Sequence, residues 1–454
     1  MEHGGHYTVV CTRCGLRLGD DGLISACPGC RDNSLLRTEY TAGSLADAVA
    51  AAPAASGLFR YRDWLPVIRE VPGASLPAVH RCRGLGAALG LSDLWMAFSG
   101  YWPERGCRMD SGTFKELEAF SVLGRVPQDA GIMVVASAGN TAAAFVRATE
   151  QFDFPCVLVV PERALPGLAL AGTGPQVRIV AVKGGGYNDA ITYSQGILAT
   201  GAPFFPEGGV RNVARRDGLG VVMLAAYERL GRLPDYYVQA VGSGTGAIAA
   251  HEAARRIAAT TGGTPPRTLL CQNTGFAPLH RLWLQERAGA AESLPSPTPV
   301  PPVAATPAPT PVSAPTPLSR PVAPSTVDVH APELVNATPP FGVRGGVRDL
   351  LADTSGEVLL ADTPAALAAA ALFEETEGID IEPAAAVAVA CLRRAVAERR
   401  IPRDARILLN ITGGGRRRAR AEREGSAQLP NASLVGAEDD PAVTAAMLLD
   451  SLAR

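Results

Sequence analysis

The sequence predicts an α/β protein built on a parallel sheet and preceded by a small N-terminal cysteine module. Between about residues 41 and 288, short apolar runs such as 132–136 and 237–241 alternate with alanine-rich helical runs. Apolar strands between helices are typical of a parallel sheet that is covered on both faces. The second observation is that four cysteines form two CxxC pairs near the N-terminus.

The composition is that of a globular protein with a large core. Of the 454 residues, 47% are hydrophobic and 19% are charged, and the length suits two or three domains. The net charge of -2 gives no general attraction to nucleic acid or to an anionic membrane. The N-terminus has no basic-then-apolar leader pattern, and no run of about 18 apolar residues occurs. We therefore expect a cytoplasmic protein that binds neither nucleic acid nor a membrane.

The cysteine module predicts a structural zinc site. Cys11 and Cys14 form one CxxC pair, Cys27 and Cys30 form the other, and twelve residues separate the pairs. In a reducing compartment such pairs bind metal more often than they form disulfides, and four thiolates complete a tetrahedral zinc site. Four protein ligands leave no open position for chemistry, so this zinc would be structural. The alternative is a set of four unligated core cysteines.

The segment 289–339 is rich in Pro, Ala and Thr, and it predicts a disordered insertion. The α/β pattern resumes after it, for example in the strand-like run 405–409, so the insertion interrupts one folded region. The predicted organisation is a zinc-ribbon-like module at 1–40 and an α/β region at 41–288 and 340–454.

Lys115 opens a helical run after small and hydroxyl residues in the stretch 111–118. Taken alone, this pattern fits an ordinary helix start with a hydroxyl N-cap and a solvated lysine. A lysine near a helix N-terminus, however, holds its proton less tightly, which suits an amine that must react with an aldehyde. Both interpretations stay open on this motif alone.

Two further turns follow strand-like runs. The turn 136–142, Ala-Ser-Ala-Gly-Asn-Thr-Ala, presents backbone N–H groups to an anion such as a carboxylate, and it also fits an ordinary turn with an Asn cap. The turn 241–247, Val-Gly-Ser-Gly-Thr-Gly-Ala, makes a phosphate cradle of backbone amides and hydroxyls. It is not a Walker motif, because no lysine follows it, and it does not continue as a dinucleotide fingerprint.

In this order and at this spacing, the three elements resemble the fold-type-II pyridoxal-phosphate (PLP) enzymes, the superfamily of threonine synthase and cysteine synthase. The resemblance runs from the cysteine module to about residue 415, and it implies two α/β domains with the active site between them, the smaller at about 115–210. It implies that PLP forms a Schiff base with Lys115 and that Thr412 contacts the pyridine nitrogen. The implied loop for the substrate carboxylate comprises Ser137, Gly139, Asn140 and Thr141, of which Asn140 also contacts the cofactor. The implied phosphate cradle comprises Gly242, Ser243, Gly244, Thr245 and Gly246.

Within that superfamily the chain is similar to the cysteate synthases, on the stretches 98–104, 113–119, 186–190 and 410–414. The Glu-Gly-x-Thr-Pro-Leu segment that is usual in threonine synthases is absent, and 60–66 takes its place. The resemblance implies that a homodimer converts O-phospho-L-serine and sulfite to L-cysteate and phosphate. A threonine synthase acting on O-phosphohomoserine, or an O-phosphoserine sulfhydrylase, is the alternative. The Pro-rich insertion departs from the family pattern.

The two inorganic anions of that reaction need cationic or polar partners. Lys183 and Asn188 are candidates for substrate binding, as are Arg105 and Arg108, because lysine and arginine both bind phosphate. Each of them alone fits an ordinary surface position equally well. The arginine-rich run 416–423 could also attract anions, but its pattern favours a solvated charged face.

A non-catalytic alternative is a regulator that binds a metabolite and contacts nucleic acid through the cysteine module. Residues 1–40 lack a basic patch interleaved with aromatic side chains, and the whole chain is close to neutral. Both observations argue against nucleic-acid binding.

Overall fold

The computed structural model describes residues 5–50, 57–137, 139–168, 174–292, 329–422 and 432–452. Most of the predicted insertion, residues 293–328, lies outside the described residues. Its C-terminal part is folded: Ala331 and Leu334 are buried, and the Asn273 side chain exchanges two hydrogen bonds with the backbone of Ala331, at 2.9 and 3.2 Å. The folded region therefore includes residues 329–339, which composition alone assigns to the insertion.

The elements follow one another along the chain in the alternating order that the sequence predicts. The strands are β1 Tyr7–Cys11, β2 Arg17–Leu18, β3 Leu36–Tyr40, β4 Ala78–Arg81, β5 Asp93–Phe98, β6 Tyr101–Trp102, β7 Cys107–Arg108, β8 Ile132–Ala136, β9 Cys156–Pro161, β10 Val177–Val182, β11 Phe204–Pro206, β12 Tyr236–Ala240, β13 Arg267–Asn273, β14 Glu357–Ala361, β15 Arg406–Ile411 and β16 Ala432–Val435. The helices are α1 Leu45–Ala50, α2 Arg83–Leu89, α3 Lys115–Arg125, α4 Asn140–Gln151, α5 Leu165–Leu168, α6 Tyr187–Ala199, α7 Val213–Leu230, α8 Thr245–Thr261, α9 Pro278–Glu292, α10 Val347–Asp353, α11 Thr363–Glu377, α12 Pro383–Ala397, α13 Arg416–Glu422 and α14 Pro441–Leu452.

Two larger sheets form the body of the molecule. The first has the strand order β14-β13-β12-β15-β5-β4, parallel except for β4, which runs antiparallel to β5. The second has the order β11-β8-β9-β10-β16 and is parallel throughout. A small antiparallel sheet, β2-β1-β3, belongs to the N-terminal module. The predicted α/β fold with an N-terminal cysteine module is confirmed, and its α/β part is built on two sheets.

The C-terminal segment returns to the second sheet. Strand β16 pairs with β10, and α14 packs on α6, where the Tyr193 and Thr444 hydroxyls lie 2.7 Å apart. The smaller domain predicted at about 115–210 therefore gains residues from the far end of the chain. The short run Ala432–Val435 carries too weak a pattern for its partner to be read from the sequence.

Burial of both sheet faces explains why the strands read as continuous apolar runs. Every residue of β9 is buried, and so are Ile407–Ile411 in β15. Helix α12 contacts β12, β13, β14 and β15, and its residues 384–390 are small, apolar and buried. Alanine and valine in these positions let the helix approach the strands closely.

The fold brings the predicted functional turns to one place. Strand β8 ends directly before Ser137, β12 ends before the turn 241–244, and β15 ends before Thr412. Ligands of open parallel sheets bind outside the carboxyl ends of the strands, which is where all three turns lie. In the described part of the chain, no helix combines the length and the hydropathy that crossing a membrane requires.

Candidate active site

A cavity of about 140 Å³ lies where the three turns meet. Its lining includes Phe114, Lys115, Ser137, Asn140, Thr141, Tyr187, Arg215, Gln239, the turn 240–246, the segment 333–336, Glu382, Ala384 and Thr412. The sequence-predicted residues in the lining are thus Lys115, Ser137, Asn140, Thr141, Gly242, Ser243, Gly244, Thr245, Gly246 and Thr412. Gly139 is the predicted loop residue outside the lining. Its φ of 143° shapes the turn into α4.

Lys115 is the first residue of α3 and lines the cavity, where 22% of its side chain is exposed. Burial lowers the pKa of its ammonium group from the ordinary value, although the neighbouring Glu118 carboxylate acts in the opposite direction. The chain contains only one other lysine, Lys183, which is exposed and lies outside the cavity lining. A Schiff base between the cofactor and a lysine of this chain therefore has one candidate in the cavity, the partly buried Lys115.

The turn 241–244 leads into α8 and forms the glycine cradle. Gly244 has a φ of 84°, and the Ser243 and Thr245 hydroxyls lie 2.8 Å apart. A Cβ on Gly246 would lie 2.7 Å from Nε2 of Gln239 and 2.9 Å from the Phe114 ring. The N–H groups of the first turn of α8 have no partner within the helix. Open backbone donors at a helix start, with hydroxyls beside them, fit a phosphate group.

Thr412 presents a polar atom that lacks a partner. Its residue is 5% exposed, and its Oγ1 has no hydrogen bond to any described residue. A buried hydroxyl without a partner is costly unless a ligand completes it. Its position in the cavity lining fits the role of contact to a ring nitrogen.

The loop between β8 and α4 is held by its own side chains. Ser137 Oγ accepts hydrogen bonds from the backbone N–H groups of Gly139, at 3.0 Å, and Ala142, at 2.9 Å. Asn140 Oδ1 accepts from Arg416 Nη2 at 2.9 Å, and its Nδ2 donates to Glu382 at 3.4 Å. The Asn140 amide is therefore held between a cation and a carboxyl.

A charged cluster that the sequence analysis did not single out lies behind Lys115. Glu118 is fully buried and forms ion pairs with Lys115 and Arg215, and Arg215 also pairs with Glu207. Burial alone would raise the pKa of Glu118, but the Arg215 and Lys115 charges hold that pKa below its ordinary value. The spacing of Glu118, three residues after Lys115 in a helix, is the signal that could have found it.

The arginine-rich run is only partly a solvated face. Arg417 and Arg418 form exposed ion pairs, whereas Arg416 reaches inward to Glu382, at 2.6 Å. Burial raises the pKa of Glu382 to about 8, against the opposing charge of Arg416. The interpretation of the whole run as solvated is corrected for Arg416, because α13 begins there and turns its first side chain toward α4.

The structure does not bring the anion-binding candidates into the cavity. Lys183 and Asn188 are exposed and outside its lining, and so are Arg105 and Arg108. Helix α6 begins at Tyr187, which faces the cavity. Successive residues of a helix are about 100° apart, so the next residue, Asn188, points elsewhere.

The four module cysteines form a cluster that fits a metal ion. Their Sγ atoms all lie within 4.8 Å of one another, and those of Cys14 and Cys27 are 3.7 Å apart. Two thiolates on one tetrahedral zinc, with a Zn–S distance of about 2.3 Å, are separated by about 3.8 Å. The donor set of Cys11, Cys14, Cys27 and Cys30 therefore suits a structural zinc, as predicted.

Comparison with known proteins places this geometry in a family. Residues 99–413 match the family of pyridoxal-phosphate dependent enzymes. The cysteate synthase of Methanosphaerula palustris is 42% identical over 414 residues, which cover 90% of this chain and 90% of the relative. The cysteate synthase of Methanospirillum hungatei is 40% identical, with 92% of each chain covered.

Two solved structures share the fold. Threonine deaminase isoform 2 from Solanum lycopersicum aligns with a TM-score of 0.54 at 15% identity, covering 89% of this chain and 92% of that chain. Serine racemase from Dictyostelium discoideum aligns with a TM-score of 0.51 at 15% identity, covering 75% and 92%.

Fold, cavity and family match together define a PLP-dependent enzyme of fold type II. The residues present fit the cofactor, because the cavity joins a partly buried lysine, a glycine cradle and a hydroxyl without a partner among the described residues. Within that class, the chain belongs to the cysteate synthase family.

Proposed function

We propose that the protein makes L-cysteate and phosphate from O-phospho-L-serine and sulfite. The observation that carries the proposal is the partly buried Lys115 in a cavity that also contains the glycine cradle. The relatives named cysteate synthase, about 40% identical over nine-tenths of the chain, support the choice of substrates.

The proposed cofactor contacts follow from the cavity lining. Lys115 would hold PLP covalently, residues 242–246 would bind its phosphate, Thr412 would face the ring nitrogen and Asn140 the ring oxygen. When bound, the cofactor supplies an electron sink for the pair left on Cα of the substrate.

The proton transfers belong to Lys115. Once the substrate amine has displaced Lys115 from the cofactor, the neutral amine of Lys115 takes the proton from Cα of the substrate. A C–H bond breaks and an N–H bond forms. Phosphate leaves Cβ with the electron pair of its bond to carbon. Sulfite then adds to Cβ through sulfur, and Lys115 returns the proton to Cα.

The substrate anions meet two parts of the cavity. Helix α4 begins at Asn140, so the backbone N–H groups of Asn140 and Thr141 suit the α-carboxylate. Among the described residues that line the cavity, Arg215 is the one arginine, and Tyr187 also belongs to the lining. We assign these two side chains to the tetrahedral anion at Cβ, in place of Lys183 and Asn188.

A phosphate-release assay tests the reaction. With O-phospho-L-serine and sulfite, the purified protein should release phosphate and form cysteate in equal amounts. The Lys115→Ala variant should lose turnover, and the matched Lys183→Ala variant should keep it. Full turnover by the Lys115→Ala variant would contradict the proposed role of Lys115.

A side-by-side assay separates the alternatives. Faster phosphate release from O-phosphohomoserine than from O-phospho-L-serine would point to a threonine synthase, and preference for sulfide over sulfite would point to a sulfhydrylase. We further propose a cytoplasmic homodimer. Size-exclusion chromatography with light scattering should give twice the mass of the 47.1 kDa chain.

A further inference from the structure

One buried carboxylate contacts three groups that act in the proposed reaction. Glu118 Oε2 accepts a hydrogen bond from Lys115 Nζ at 3.1 Å. Its Oε1 accepts from the Thr141 hydroxyl at 2.8 Å and pairs with Arg215 Nη2 at 2.9 Å. Glu118 is fully buried, so these contacts replace water around its charge.

We propose that Glu118 is the positioning residue of the reactive lysine: its carboxylate aims the Lys115 amine into the cavity and stabilises the ammonium formed when that amine takes the Cα proton. The inference rests on the proposed role of Lys115. It goes beyond that role because it assigns the group that controls the lysine.

The charges around Lys115 favour its ammonium form and oppose the lowering of its pKa by burial. Two carboxylates, Glu118 and Glu207, and one guanidinium, Arg215, lie behind the lysine, and Tyr187 faces the same cluster from α6. The carboxylates exceed the guanidinium by one charge, which an ammonium on Lys115 balances. Without the Glu118 charge, Glu207 and Arg215 balance each other, and the positive charge of the Lys115 ammonium has no opposite charge beside it. The Lys115 amine therefore becomes a weaker base.

The geometry also links the lysine to the carboxylate loop. Thr141 and Arg215 share one oxygen of Glu118, and Arg215 Nη2 lies 3.3 Å from Thr141 Oγ1. The second oxygen is left to Lys115. A side chain that holds both the base and the loop keeps the amine facing the substrate Cα while the cofactor linkage is exchanged.

Exchange of the Cα proton tests this directly. The holoenzyme is incubated in D₂O with L-alanine, which carries no leaving group at Cβ, and NMR follows deuterium entry at Cα across a pH series. In the Glu118→Gln variant the rising part of the curve of exchange rate against pH should move to lower pH by roughly one to two units. The reason is that the Lys115 ammonium loses a neighbouring negative charge. The plateau rate should fall as well, since the amine is a weaker base.

Controls separate positioning from a structural role. The matched Glu116→Gln variant changes a neighbouring buried glutamate whose carboxylate accepts a hydrogen bond from the Ser111 backbone N–H. The rising part of its rate–pH curve should stay in place. Glu118→Asp keeps the charge one methylene further away and should give an intermediate shift. A purely structural role lowers the rate at every pH without moving the rising part of the curve, and that outcome in Glu118→Gln overturns the proposal.

A second measurement needs no turnover. The full chain, stripped of cofactor, is acetylated with trace acetic anhydride at each pH, and mass spectrometry compares Lys115 with the exposed Lys183. The acetylation midpoint of Lys115 should drop by the same one to two units in Glu118→Gln, with Lys183 as internal reference. An unchanged midpoint in the variants that fold, Glu118→Asp included, contradicts the proposal. Because neither assay uses sulfite or phosphoserine, both report on Glu118 even if the proposed substrates fail.

Discussion

The Thr412 hydroxyl is buried in the cavity wall without a partner in the described residues. A ligand atom that forms a hydrogen bond with this hydroxyl would remove the free-energy cost of burying it without a partner. The hydroxyl is therefore expected to matter more for the cofactor-bound protein than for the empty one.

Thr412→Val should weaken PLP binding about tenfold, through a loss of about 1.4 kcal/mol, because the isosteric methyl cannot hydrogen-bond. The cofactor-free variant should melt no earlier than the wild type, since it no longer buries an unsatisfied hydroxyl. Absorbance titration and thermal melts measure the two effects. Thr412→Ser, which keeps the hydroxyl, should stay close to the wild type, and a lower melting temperature of the cofactor-free Thr412→Val would contradict this account.

Glu116 predicts a pH dependence of stability. Burial raises the pKa of its carboxyl to about 8 from an ordinary value of about 4.5. Between these values the folded chain holds a proton that the unfolded chain has lost, so this contribution to stability is present below about pH 4.5 and is lost as the pH rises through about 8. Glu116→Gln, neutral at every pH, should flatten the fall in the free energy of unfolding between pH 5 and 8 in urea titrations. An equally steep fall in the variant would show that Glu116 is not its source.

The residues that sequence reasoning found are those with a local signature. Lys115 and the cradle 242–246 stand in motifs, whereas Arg215 reaches the cavity from a helix without one, and in the stretch 186–190 the prediction fell on Asn188 rather than on Tyr187. The charge pattern of the run 416–423 suggested a solvated position for Arg416, as it did correctly for Arg417 and Arg418. The inward direction of Arg416 depends on Glu382 and Asn140, which are distant in the sequence.

At the scale of the element, helix α8 owes its close packing beside the cavity to a glycine in its first turn. Gly246 lies against the Gln239 amide and the Phe114 ring, which leaves no room for a methyl group. The strand pattern and the glycine turn were both readable from the sequence. The return of β16 to the second sheet was not, because parallel partners are set by tertiary packing rather than by local pattern.

Gly246→Ala should reduce PLP affinity by at least about tenfold, because the new Cβ must push the cradle away from Gln239 and Phe114. Fluorescence titration of the cofactor measures the affinity. Gly167→Ala is the matched control, since a Cβ there meets nothing within 4 Å, and its affinity should stay at the wild-type level. Equal affinities of the Gly246→Ala variant and the wild type would show that the cradle has room.

At the scale of the whole molecule, the cysteine module is joined to the catalytic helices through buried charges. Arg125, at the end of α3, pairs with Asp20 of the module at 2.7 Å, and both side chains are 1% exposed. On α7, Asp217 accepts hydrogen bonds from Thr38 and Tyr40 of the module. The helix that begins with Lys115 is therefore anchored at its far end by the module.

Removal of zinc should loosen the end of α3 that the module anchors at Arg125 and, through the helix, the Lys115 site at its start. A mercurial that takes up the four thiolates should release one zinc per chain, lower the melting temperature and speed the loss of bound PLP, because the module no longer holds Asp20 in place. Metal analysis, thermal melts and absorbance follow the three effects. Cys82→Ser, outside the cluster, should release the same amount of zinc, and zinc loss without any change in melting temperature would contradict the coupling.

This chain offers few lysine amines that could form imines with the aldehyde of free PLP. Of 42 lysines and arginines, two are lysines, and one of these is exposed. Guanidinium groups stay protonated and do not condense with free PLP under ordinary conditions. The surface of this protein therefore offers little competition for its own cofactor, and adventitious imines should be confined to Lys183 and the N-terminal amine.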